Sequence, residues 1–83
     1  MNKVLVTLKV PSVEGEFDVL IPDFLPVGEI TVLLAEAVSD ITQNMYVSSG
    51  CEILCRREPD MALHPEYTLA EYGVEHGECL YLF

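Results

Sequence analysis

Positive charge is scarce in this sequence: four Lys and Arg stand against 14 Asp and Glu, a formal net charge of −10 over 83 residues. Such a field repels phosphate backbones, which argues against nucleic acid as a partner and favours basic surfaces, with association slowing as salt is added. Long hydrophobic runs are also missing. The longest apolar stretches are four or five residues, far short of the ~20 that a membrane helix needs. From Lys3 onward the N-terminus alternates with charge and holds no apolar block resembling a secretion signal. A soluble, cytoplasmic protein with no membrane insertion is expected. Three cysteines, an odd number, cannot all pair within one chain, so packed, reduced thiols are expected rather than a disulfide framework.

What is present is enough for one small core. A chain this short hides only about 60–65% of its unfolded surface, but 51% of its residues are apolar. A single domain over residues 1–83 is expected. In KVLVTLKV, Val4, Val6, Leu8 and Val10 share one side of a two-residue repeat, and in FDVLI so do Phe17, Val19 and Ile21. PSVEGE between them supplies turn residues, predicting an N-terminal β-hairpin with one face toward a core. The period then changes. Val27, Ile30, Leu34, Ala37, Val38 and Ile41 recur at spacings of three and four, predicting a helix from about Val27 to about Thr42 with Pro26 at its mouth; Leu33 widens its apolar face. CEILCRR (Cys51 to Arg57) reads as a short strand with Ile53 and Cys55 on one face and Leu54 on the other. MAL is a minimal edge strand, and Leu69 to Tyr72 a helical turn closed by Gly73. ECLYLF is the last strand, with Leu80 and Leu82 inward. One helix covers one face of a sheet, so the class is α+β, with the last strand returning beside the first.

This order of elements resembles the β-grasp fold of ubiquitin, a mixed four- to five-stranded sheet with one main helix packed across one face. Thr68, Leu69, Tyr72, Val74, Leu80 and Leu82 in TLAEYGVEHGECLYL are similar to ubiquitin's final turn and strand. DFLPVGEI (Asp23 to Ile30) and TLAEYGVEHGECLYLF resemble the small ubiquitin-like proteins of type VII secretion, the YukD/EsaB family; a related domain begins the membrane component EccD. The resemblance implies a protein-binding adaptor, a cytoplasmic accessory of a WXG100/ESX-like secretion system whose partners are cytosolic domains of secretion membrane components. Conjugated ubiquitin-like proteins and sulfur carriers thread a Gly-Gly tail, where a Cβ would clash. Phe83 still belongs to the final strand, and the lysines are Lys3 and Lys9, so conjugation is not expected. A modifier or sulfur carrier with a further tail is the alternative, as is a self-assembling structural module.

The chemistry-bearing residues suggest no enzyme. The carboxylates follow no repeated spacing, and Ser48-Ser49-Gly50 lacks a phosphate-loop lysine. Cys51 and Cys55 on one strand would lie ~13 Å apart, too far to share a zinc ion whose thiolates sit at ~2.3 Å. No cofactor and no metal are expected, and His64 and His76 read as turn residues. What remains is a surface. In ubiquitin, partners dock on the sheet face opposite the helix, and the same face here is expected to carry Leu5, Leu54, Tyr81 and Phe83, with Arg56 and Arg57 as donors at its edge. Contiguous apolar groups with a polar rim mark an interaction patch. A homodimer through that face is the other use.

Overall fold

The structure is a computed structural model that describes residues 3–43, 45–46, 50, 52–56 and 61–83. Strands β1 (Lys3–Val10) and β2 (Gly15–Pro22) form the expected hairpin, joined by a 3₁₀ turn at Pro11–Val13. Their antiparallel register runs from Lys3 opposite Pro22 to Val10 opposite Gly15. Helix α1 (Val27–Ile41) follows, then β3 (Leu54–Arg56), the single-turn helix α2 (Leu69–Tyr72) and β4 (Glu78–Leu82). β4 lies parallel to β1 and antiparallel to β3, giving a mixed four-stranded sheet of order β2-β1-β4-β3. The last strand thus returns beside the first, in the sheet's centre. This is the α+β, ubiquitin-like β-grasp arrangement.

The alternation of β1 decides which side is dry. Val4, Val6, Leu8 and Val10 are all buried, and Ile21, Leu54, Leu80 and Leu82 join them from the other strands. α1 closes this layer with Val27, Ile30, Leu34, Ala35 and Val38. Each fully buried leucine or valine contributes about 1.5–3 kcal/mol of transfer free energy. The buried stripe is rotated relative to the expected one. Thr31 and Ala35 lie inside it, whereas Ala37 and Ile41 are exposed. Thr31 is tolerated there because its Oγ1 donates to the Val27 carbonyl at 2.7 Å, so no polar atom is left unpaired.

The start of α1 explains the position of residues 64–68. Pro26 is the N-cap and offers no capping side chain, so the first-turn N–H groups need outside acceptors. Val27 N–H donates to Tyr67 O at 2.7 Å and Gly28 N–H to Pro65 O at 2.9 Å. Gly28 permits this approach: a Cβ there would sit 3.1 Å from Pro65 Cβ. α2 has its own capping box, with Glu71 N–H donating to Thr68 Oγ1 and Thr68 N–H to the Glu71 carboxylate. Gly73 ends α2 with φ +69°, the left-handed conformation expected of it.

β3 is shorter than the expected strand, whose ends Cys51 and Arg57 lie outside the described residues. The MAL segment runs along its outer side as an isolated bridge. Cys55 pairs with Ala62, Arg56 N–H donates to Met61 O, and Leu63 N–H donates to Leu54 O.

Candidate interaction face

The face opposite α1 is laid out by strand register. Side chains alternate across a strand and paired residues share a face. Leu5, Thr7 and Lys9 of β1 therefore lie beside Leu20, Asp18 and Glu16 of β2 on one side. On the other side Thr7 pairs with Cys79 and Lys9 with Tyr81 of β4. Tyr81 pairs in turn with Cys55 of β3, and reciprocal backbone hydrogen bonds at 2.9 Å join Phe83 to Ile53.

Of the described residues expected on this face, Tyr81 and Phe83 come together, but Leu5, Leu54 and Arg56 do not join them. Leu5 is exposed, but it lies four positions before Lys9, the partner of Tyr81, hence ~13 Å away along β1. Leu54 is not on the face at all: it is 1% exposed, opposite Leu82 in the core, while its neighbour Ile53 is 50% exposed. A strand of three residues, apolar on both phases, holds no period of its own; its pairing with β4 sets which phase is buried. Arg56 shares Leu54's side. Its guanidinium forms a bidentate pair with the Glu78 carboxylate (Nε to Oε2, 2.8 Å) and donates to the Tyr72 carbonyl at 2.8 Å. The hydrogen bonds to Glu78 hold its pKa above the ordinary arginine value, so Arg56 is a tie between β3, β4 and α2 and not a donor at the outer face. Arg57 lies outside the described residues.

The structure instead assembles Ile53, Tyr81 and Phe83 at one end of the face. The Tyr81 and Phe83 rings stack at 6.2 Å between centroids with 13° between planes. Lys9 Nζ lies 5.7 Å from the centre of the Tyr81 ring, within cation–π range. The arrangement offers flat aromatic area, an aliphatic edge and one cation. Ile53 was legible only through the strand phase, which the short strand left open.

The histidines are structural in ways composition does not reveal. His76 Nδ1 accepts the Leu5 N–H at 3.0 Å, prolonging the β1–β4 seam, and His64 Nδ1 accepts the Glu66 N–H at 3.1 Å. Tyr46 is buried and donates to Glu52 at 3.1 Å. Burial first, then the Glu52 carboxylate, pushes its pKa up to about 12. Among the described residues no His, Cys, Asp and Glu side chains group so as to hold a metal ion. No helix of the described residues is long and apolar enough to cross a membrane. The zinc reading of Cys51 falls outside the described residues; Cys55 is buried and Cys79 half-buried.

Solved structures share this architecture. The ubiquitin-like domain of the Mycobacterium tuberculosis type VII secretion system protein ECCD1 superposes with a TM-score of 0.78 at 18% identity, covering 99% of this chain and 98% of that one. The EccD5 ubiquitin-like domain of Mycobacterium xenopi gives 0.81 at 18% identity, over 100% and 94%. A chain of an ESX-5 inner membrane complex gives 0.86 at 20% identity; all of this chain is covered but only 21% of that one, so the likeness spans about a fifth of its length. At these identities the superpositions establish the fold. No curated protein sequence matches the chain. A family model does, over residues 4–82: with the β-grasp sheet already in place, that match makes the chain a member of the YukD family, described as the protein YukD of the WXG100 protein secretion system.

Proposed function

We propose that this chain is a non-enzymatic adaptor of a type VII secretion system, binding a cytosolic domain of the membrane machinery through the end of the sheet face formed by Ile53, Tyr81 and Phe83. The observation that carries the reading is that stacked aromatic pair with its exposed aliphatic neighbour, on the side away from α1. Aromatic side chains bring large contact area at low entropic cost and dominate binding energy at interfaces. Membership of the YukD family supports secretion as the setting. The fold shared with part of an ESX-5 inner membrane complex supports a membrane component as the partner.

The test is co-purification from the native cell, including solubilised membranes, with wild type beside Ile53→Glu and Phe83→Ser. Both changes are at exposed positions and should leave the circular dichroism unchanged. Recovery of secretion membrane components by wild type, and their loss with either variant, is the expected result. Equal recovery by all three proteins removes the face from the reading. Sedimentation of wild type as a dimer that both variants dissolve would assign the face to self-association instead.

A further inference from the structure

The two edges of the sheet are treated differently. The outer side of β3 is covered by residues 61–63 through the hydrogen bonds of Arg56 and Leu54. Along β2, no strand of the described residues pairs outside it.

The hydrogen-bond phase of this edge follows from one residue. Leu5 N–H donates to His76 Nδ1, and Leu5 O accepts from Gly77 N–H at 2.7 Å; both groups point toward β4. Backbone groups alternate sides along a strand, so those of Val4, Val6 and Leu8 point at β2, where Ile21, Val19 and Phe17 face them. The N–H and C=O groups of Glu16, Asp18 and Leu20 therefore point outward. Pro22, without an N–H, ends the row.

Beside this edge an apolar groove of about 340 Å³ runs between β2 and α1, lined by Val19, Leu20, Ile21, Ile30, Leu33 and Leu34. Leu20 and Leu33 are 57% and 52% exposed. The charges around it are mostly negative. Glu16 and Asp18 lie on the edge strand itself, and Glu36 and Asp40 stand one turn on from Leu33 and Ala37 along α1. Lys9 is opposite Glu16, but its ammonium lies over the Tyr81 ring; Thr7 Oγ1 donates to Asp18 at 3.0 Å.

We propose that the β2 edge accepts an extended basic segment of a partner protein as an additional strand. Main-chain pairing would supply affinity and alternate side chains the selection. Residues of the segment opposite Glu16 and Asp18 share the outer face and are lysine or arginine; the alternate residues, opposite Val19 and Ile21, are aliphatic and enter the groove. A second copy of this chain fits poorly, because antiparallel pairing centred on Asp18 sets two carboxylates directly opposite, a destabilising pair, between molecules of net charge −10. β1 separates this edge from Tyr81 on β4, and β1 and β4 separate it from β3; the two tests substitute different residues, so either surface can fail its test without the other.

The probe is a capped heptapeptide alternating lysine and valine, compared with an isomer of the same composition whose valines form one block. Titration into the full chain, followed in amide spectra, should show the alternating peptide binding at least about tenfold more tightly than its isomer. Amide exchange at Glu16, Asp18 and Leu20 should slow in the complex, with Tyr81 and Phe83 unmoved. Leu20→Pro removes an edge donor at a position where proline is tolerated, and Leu33→Gln makes the groove polar without touching the strand. Each should weaken binding about fivefold or more while the amide spectrum stays folded. Equal binding of the two isomers, no binding of either, unchanged exchange along β2, or shifts centred on Tyr81 would each overturn the proposal. So would protection of the same amides by dimerisation of the chain alone.

Discussion

Leu54 is enclosed by the core while Ile53, next to it, keeps half its surface in water, and the two should respond oppositely to substitution. Leu54→Ala removes buried methyl groups that the surroundings cannot fully replace, and a loss of about 2–5 kcal/mol is expected. Ile53→Ala should change stability by less than about 0.5 kcal/mol. Urea unfolding of both variants checks this, with the midpoint moving only for the first. Tyr46 carries a second residue-scale expectation. Its phenol ionises near 10 in the unfolded chain but is pushed up to about 12 in the folded one. Between those values the unfolded state has lost the proton and the folded state keeps it, so stability holds below about pH 10 and falls as pH rises toward 12. Unfolding free energies measured across that interval should decline for wild type and decline less for Tyr46→Phe. Neither behaviour was readable from residue type, since Leu54 and Ile53 are equally apolar and the Tyr46–Glu52 contact is tertiary.

Among the elements, α2 is the most dependent on its ends. Four residues cannot sustain a helix by propagation, so the Thr68–Glu71 capping box and the left-handed Gly73 hold it in place. Thr68→Ala should cost about 1 kcal/mol and Thr68→Ser much less, read as shifts in urea midpoint at constant slope. How legible each element was depends on its length. β1 and β2, eight residues each, repeat their pattern often enough for the inward face to be read from Val4, Val6, Leu8 and Val10. α1 was readable as a helix, but Ala37 and Ile41 turned out exposed, since spacings of three and four fit two adjacent stripes and only packing chooses between them. β3, with three residues, has no period, and that is why Leu54 was assigned to the wrong side and the candidate face lost Leu54 and Arg56 while gaining Ile53. The tie from Pro65 and Tyr67 carbonyls to the mouth of α1 has no local signature, because it joins segments far apart in the chain.

At the scale of the molecule, charge is the dominant variable. A net −10 on so small a body destabilises the compact state by self-repulsion. Raising ionic strength from about 10 mM to about 0.15 M shortens the screening length from ~30 Å to ~8 Å. Stability should rise by on the order of 1 kcal/mol, or ~4–8 °C in Tm, in calorimetry at the two salt levels. The same change should weaken the capture of lysine-rich segments, so salt acts on folding and on association in opposite directions.

β4 lies parallel to β1 in the middle of the sheet, with Val6 beside Glu78 and Leu8 beside Leu80. During translation, the hairpin and α1 emerge early, yet their apolar sides have no complete cover until the ribosome has delivered the codons for Cys79 to Leu82. At ~5–20 residues per second that interval lasts several seconds. Through it the nascent chain presents the same greasy surface that the finished protein hides, a window in which chaperones and proteases compete for it. The central position of β4 therefore makes folding a single late event, timed by the synthesis of β4 and not by the appearance of the first strands.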